Sequence, residues 1–441
     1  MPSVKGLKHQ NITLQFFKFA IPSILGMLIV SVQIMVDGIF LSKGVGPLGL
    51  AAVNLSMPLI NFILSVCLMI ISGGVVLTGI AKGEDKENYA RGYTTLTLVL
   101  IIVTLTAISL CFLIDFNAVC RLLGANDELL PYIKPYLRTI LTASIFFCIP
   151  NFTEAFTRLN GRPNFVFLSG CICLSVNVLL DYLFIFKYGW GMRGAAIATC
   201  IANSTAAITL FPFVPMGKIK GKWKEIKNIY FNGSSEMLTS VSASISMYAF
   251  NIVLMKYIGA MGVAALTIVF YINMIVNMSL FGLSQALYPL VSYNLGAKNL
   301  CNIKKLLNVA MGFGASIGIG IYLIVLFTKG HIIRIFTGDN EELFQLAFIA
   351  TTYVTIHYLF SFFNIVAGTF HTAIERPVES AVIALCRSVI FTIPLLLFLP
   401  TLIGDIGIWL SMPVAEILCL CVSFVFMQKS MHRLKVRCAK L

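Results

Sequence analysis

Apolar runs of about twenty residues recur from one end of this 441-residue chain to the other. That is the length a helix needs to cross a hydrocarbon layer of about 30 Å. A chain built this way has few choices. A water-soluble fold needs more polar surface than 11% charged residues can supply beside 58% hydrophobic ones. The mean hydropathy of +0.91 points the same way. A membrane β-barrel would show short alternating segments instead. The expected class is an all-α integral membrane protein lying in a lipid bilayer. Twelve spans are expected, near 16–42, 48–80, 93–114, 131–157, 164–187, 193–214, 236–256, 263–293, 306–328, 342–372, 378–400 and 406–428.

A polar start, "MPSVKGLKHQN", leads directly into a full-length span, so the first helix is expected to act as an uncleaved insertion signal. The net charge of +14 does not require a nucleic-acid partner. With the N-terminus placed inside, 21 Lys and Arg fall in cytoplasmic tails and loops. Only Lys43, Arg121, Lys187, Lys256, Lys329 and Arg334 fall outside. This bias predicts a multi-pass protein of the cell membrane with both termini in the cytoplasm. The densest basic stretches, "GKIKGKWKEIKN" (217–228) and "QKSMHRLKVRCAKL" (428–441), suit anionic lipid. The twelve cysteines lie mostly within spans. The pairs Cys171/Cys173 and Cys419/Cys421 have a spacing that points to different helix faces and lacks a zinc pattern. Packing is the expected role.

A shift of 213 residues lays the second half of the chain over the first. "VGPLGLAAV" (45–53) falls on "IGAMGVAAL" (258–266), Gly83 on Gly296, Arg121 on Arg334 and Asn151 on Asn364. One added residue then aligns Arg162-Pro163 with Arg376-Pro377. Six spans per half is an even number, so the two lobes are parallel repeats, with substrate expected between them. The predicted layout is an N-terminal lobe (1–214), a basic linker (215–235), a C-terminal lobe (236–428) and a basic tail (429–441). Two lobes suit alternating access by a secondary transporter. No Walker A sequence is present.

Ionisable residues inside a membrane are costly and mark function by default. Asp37 precedes Lys43 by six residues, and Asp181 precedes Lys187 by six, in two spans that both run outward. At 1.5 Å per residue, each lies about 9 Å inside the external end. Gln33 and Asn177 sit one turn below them on the same helix faces. Two acids and two amides are thereby placed at one depth in one lobe. Double ionisation is disfavoured in such a pocket, so protonation of the two acids is expected to be coupled. Two carboxylates and two amide oxygens could equally hold Na⁺, or the groups could simply bond helix to helix. Pro22 interrupts the first span and makes bending easier.

In the second lobe, Arg387 and Glu416 share a depth, as an ion pair that is either structural or in contact with substrate. Glu236 opens the seventh span, where an acid suits the helix dipole. Glu154 is four residues before Arg158 and either pairs with it or faces a cavity. Asn151 is a further polar candidate in the same span. His357 and His371, about 20 Å apart on one helix, cannot share a metal.

These residues resemble the multidrug and toxic compound extrusion (MATE) family. The resemblance is carried by "FAIPSILGMLIVSVQIMVDGIFLSKGVGPLGLAAVNLSMP" (19–58), "LNGRP" (159–163), "NVLLDYLFIFKYGWGMRGAAIAT" (177–199) and "GIWLSMPVAEIL" (407–418). "IERP" (374–377) is similar to a bacterial branch. The resemblance implies efflux of small organic, often cationic, compounds by antiport with H⁺ or Na⁺, with no other cofactor and no catalysis. A monomer is expected. Asp37, Asn177 and Asp181 match the family's ion-binding acids and amide. Thr199 fits a hydroxyl associated with that pocket, and Pro22 fits a bending proline. Two positions depart from the pattern. Glu154 stands where many members have Asn, and Ser240 stands where related sequences often have an acid, which weakens a second ion site near Glu236. A lipid-linked saccharide flippase is the alternative, although the interior holds few basic residues beyond Arg387. An intramembrane enzyme using His357, His371 or a cysteine is a third reading and lacks a close acid–base constellation.

Overall fold

The computed structural model describes residues 11–439, with side chains to Arg433. Most of the polar N-terminal stretch and the last two residues of the basic tail lie outside the described residues. Among the described residues there is no β-strand. Eleven helices are each long and apolar enough to cross a membrane. They are α1 (Ile12–Gly44), α2 (Pro47–Gly83), α3 (Glu87–Ile114), α5 (Pro163–Lys187), α6 (Gly191–Phe213), α7 (Trp223–Tyr257), α8 (Ala260–Gly296), α9 (Leu300–Thr337), α10 (Glu341–Ala373), α11 (Pro377–Ile403) and α12 (Ile406–Ala439). The remaining span, α4, is a pair of helices, Leu130–Thr142 and Ser144–Leu159, bent by 52°.

Local chemistry explains the break in α4. The hydroxyl of Thr139 donates to the Pro135 carbonyl at 2.8 Å, and that of Thr142 to the Arg138 carbonyl at 2.8 Å. Hydroxyls that bond back along a helix weaken its ladder and bend it. Its first half also carries Lys134 and Arg138, so that half is not an apolar span by itself. By contrast α1 runs unbroken through Pro22. Proline lacks an N–H, so the Lys18 carbonyl has no intrahelical donor there.

The chain divides into two compact units. One is residues 17–233. The other is residues 11–16 together with residues from 234 onward. Both divisions fall inside helices, in α1 and in α7. Helix α7 begins at Trp223, so more than half of the expected linker is helical. The rest is held to α3, where the Thr95 hydroxyl donates to the Gly217 carbonyl at 2.8 Å and accepts from the Gly217 N–H at 3.1 Å.

The internal repeat is written in the backbone. Gly46 links α1 to α2 at φ 94°, and Gly259 links α7 to α8 at φ 87°. A two-residue link between antiparallel helices needs a left-handed residue, which glycine adopts at little cost. The hydrogen bonds match: Gly46 N–H to the Leu41 carbonyl at 3.1 Å, and Gly259 N–H to the Leu254 carbonyl at 2.9 Å. Asp85 and Lys298, again 213 apart, are left-handed at 59° and 57° after α2 and α8. Proline opens α2, α5 and α11 at a position where its missing N–H costs nothing.

Close packing in the first unit rests on small residues, as it does where hydrocarbon solvates both sides of an interface. A Cβ added to Gly73 of α2 would lie 2.0 Å from the Ile229 carbonyl oxygen of α7. One added to Gly233 of α7 would lie 1.7 Å from the Met69 oxygen of α2. The two backbones touch through reciprocal glycines. Gly73→Ala and Gly233→Ala should each cost about 1–3 kcal/mol of overpacking and lower the melting temperature of the detergent-solubilised protein by several degrees. Gly312→Ala, with nothing within 4 Å, should not.

Candidate functional site

In the first unit helices α1 and α5 bring Asp37, Asn177 and Asp181 together. The Asp37 carboxyl interacts with the Asp181 carboxyl and the Asn177 amide. Asn177 and Asp181 are buried. Asp37 Oδ1, Asp181 Oδ1 and both polar atoms of the Asn177 side chain lie buried without a hydrogen-bond partner. An ionised carboxylate only accepts hydrogen bonds, so two of them in contact call for a proton or a cation between them. Unsatisfied buried polar groups are rare in native proteins and point to a missing occupant. The available donors are hard oxygens, which suit H⁺ or an alkali cation and not a transition metal. Among the described residues no group of three His, Cys, Asp or Glu side chains could hold a metal ion.

The polar track continues one turn inward. The Cys173 thiol, one turn before Asn177, approaches Gln33 Oε1 at 3.8 Å and Asn203 Oδ1 at 3.4 Å. Asn203 Nδ2 in turn donates to the Phe147 carbonyl in α4 at 3.0 Å. Cys173 also feels the charges of Glu154 and Asp37, and Tyr136 of α4 feels those of Asp37 and Asp181. Gln33 therefore borders the pocket through Cys173. The Thr199 hydroxyl donates to the Ala195 carbonyl of its own helix at 3.0 Å. It makes no hydrogen bond to either acid. Asn151 Nδ2 bonds locally to the Cys148 carbonyl at 3.3 Å. Glu154 pairs with Arg158 at 2.7 Å, with side chains only 17% and 3% exposed.

Periodicity could have found Cys173 and Asn203, which lie one turn from Asn177 and Thr199 on the same faces. A thiol and an amide at those places carry no signal of their own. No sequence signal placed Tyr136.

In the second unit Arg387 and Glu416 form the expected ion pair, through Arg387 Nε and Glu416 Oε1. Asn364, missed at these contacts though visible as the repeat partner of Asn151, donates to Glu416 Oε2 at 2.6 Å. The Ser423 hydroxyl donates to Asn364 Oδ1 at 2.8 Å. Glu236 accepts from the Tyr288 hydroxyl. The histidines make separate contacts. His357 Nδ1 lies 2.6 Å from the Val354 carbonyl, and His371 Nε2 lies 3.1 Å from Ser430 Oγ. Within the CxC pairs, Cys173 and Cys419 are buried while Cys171 is half-buried and Cys421 exposed, as faces two residues apart require.

Both lobes thus carry polar clusters deep in apolar helices, and known proteins share their frame. A solved MATE in complex with MaL6 superposes with a TM-score of 0.92 at 20% identity, over 99% of each chain. A point mutant of the Vibrio cholerae MATE transporter VcmN gives 0.90 at 21% identity, over 96% of this chain and 97% of that one. The multidrug export protein MepA of Staphylococcus aureus is 22% identical over 438 residues, covering 96% of this chain and 95% of its own. A family model described as MatE matches twice, at residues 22–183 and 237–398, once in each repeat. The chain belongs to the MatE family.

Proposed function

We propose that this protein exports small organic, predominantly cationic compounds across the cell membrane in exchange for H⁺ or Na⁺, by alternating access. The family is one of transporters, not enzymes, and requires no cofactor beyond a coupling ion. MepA, similar along nearly its whole length, is a multidrug export protein. The observation that carries the reading is the Asp37–Asn177–Asp181 cluster, with four buried polar atoms awaiting a partner. An ion entering from outside neutralises this cluster. Neutralisation changes the packing of α1 against α5 and lowers affinity for the cationic substrate, which links ion entry to export. Asp37, Asn177 and Asp181 supply the ion's contacts, and Gln33 borders them through Cys173. The chain acts as a monomer with both termini in the cytoplasm. The flippase reading gains nothing from Arg387, because one guanidinium already paired with Glu416 is not the broad cationic lining a pyrophosphate needs.

Efflux of a cationic dye from proteoliposomes, under H⁺ and Na⁺ gradients imposed separately, tests the proposal and identifies the ion. Asp37→Asn and Asp181→Asn should each abolish gradient-driven efflux while leaving expression and monodispersity intact. Undiminished efflux from both would sink the mechanism. The same assay separates pocket residues from neighbours. Asn177→Ala should remove most of the coupling. Thr199→Ala should reduce it by no more than roughly fivefold, the loss of a hydrogen bond worth about 1 kcal/mol.

A further inference from the structure

The second lobe holds hydrogen-bond donors at mid-membrane depth that the ion pair leaves unused. Arg387 lies ten residues after Pro377 and sixteen before Ile403, or about 15 Å and 24 Å along α11. Its Nε donates to Glu416 Oε1. Among the described residues nothing takes a hydrogen bond from its two terminal nitrogens.

Glu416 is not free to take them. Its Oε2 accepts from Asn364 Nδ2 at 2.6 Å, and the same amide bonds the Glu416 backbone carbonyl at 3.0 Å. Asn364 is fixed in turn by Ser423. The carboxylate is thereby clamped at 4% exposure, while the Arg387 side chain is 23% exposed.

The backbone beneath Arg387 is equally determined. Residues Cys386–Ile390 form a π-helical turn, closed by the Phe391 N–H on the Cys386 carbonyl at 3.1 Å. The Arg387 carbonyl accepts from the Thr392 hydroxyl at 2.6 Å. Single π turns in α-helices are frequent at functional sites. Held at both ends, the guanidinium keeps its outer edge unbonded, in a side chain that is partly exposed. At this depth an ionised side chain faces water or protein, not lipid, so the outer edge is open to a ligand.

A planar fork of N–H donors fits one carboxylate with two parallel bonds. A single guanidinium already paired with Glu416 cannot neutralise a polyanion. We propose that the outer edge of Arg387, buttressed by Glu416, Asn364 and Ser423, is a recognition site for a substrate carboxylate. The transporter thereby takes zwitterions, compounds carrying a carboxylate beside a cationic amine, as well as simple cations. This rests on the exporter reading above for its role in transport, but not for its binding chemistry.

Two dyes isolate the feature. Rhodamine 110 carries a free carboxylate, and rhodamine 123 is its methyl ester with the same cationic ring system. Fluorescence polarisation on the purified full-length protein in nanodiscs gives an affinity for each. The wild-type protein should bind the acid at least about tenfold more tightly than the ester, as expected for hydrogen bonds between charged groups. Arg387→Gln/Glu416→Gln removes both charges, so neither is left buried alone, and the ratio should fall to about one. Arg387→Lys, which keeps the charge and loses the fork, should give an intermediate ratio. Equal affinities in the wild type, an unchanged ratio in the double variant, or no measurable binding of the acid each overturns the proposal. The wild-type comparison needs no variant, so misfolding cannot obscure it. Gradient-driven flux of the ester without any preference for the acid removes this site and leaves the exporter. A preference for the acid without gradient-driven flux of either dye removes the exporter and leaves the site.

Discussion

A carboxylate in hydrocarbon must find a proton, a cation or a hydrogen-bonding cage, because no water is at hand to replace them. The contact between Asp37 and Asp181 is where this fold leaves that demand open. Both residues reach it from long apolar helices, and neither acid has a basic side chain bonded to it. Elsewhere in the described chain deep charges are settled internally. Glu154 has Arg158, Glu236 has Tyr288, and Glu416 has both Arg387 and Asn364. Among these acids, only the first pair calls for an occupant supplied from solution to meet its charge.

The two lobes share a backbone and differ in what they bury. Gly46 and Gly259 turn alike, and so do Asp85 and Lys298. Yet Asn151 spends its amide on a local carbonyl, while its repeat partner Asn364 bonds a carboxylate on another helix. The fifth helix of each lobe contains a π-helical turn, but at different heights. In α5 it spans Tyr182–Lys187, immediately after Asp181, and in α11 it spans Cys386–Ile390 and contains Arg387. A π turn inserts about one residue and rotates the helix face beyond it. Placed at two heights, it follows the acid of α5, which closes the regular part of that helix, and contains the guanidinium residue of α11. Duplication conserved the turns, where geometry leaves little freedom. It released the polar positions, where chemistry does the specifying.

This explains which parts of the site were legible in the sequence. Spans, repeats and turn glycines follow from hydrophobic length and from φ requirements that hold in any context. Asn177 and Asp181 were legible as a pair because a regular helix fixes the i and i+4 face. Asp37 joined them because depth can be counted from a membrane-facing lysine. The same counting paired Arg387 with Glu416. It could not show the π turns, which arise from competition among backbone carbonyls, hydroxyls such as that of Thr392, and neighbouring helices. Nor could it place Tyr136, because the direction of that ring depends on a 52° bend in α4. Thr199 is a different case. Its residue type suits a pocket, but in this structure its hydroxyl serves its own helix.

Glu154 shows how these constraints combine. The acid at this position carries a charge within electrostatic reach of Cys173, which also feels Asp37. Left alone it would be an uncompensated buried charge. Arg158, one turn away and almost wholly buried, neutralises it at 2.7 Å. The pair is therefore a polar wall of net zero charge, and the added acid does not raise the negative charge of the ion pocket. Removing Arg158 alone would convert that wall into a third unpaired carboxylate near Asp37 and Asp181. An acid at residue 154 sits in this buried place with its charge met, because the helix carries its own counter-charge four residues later.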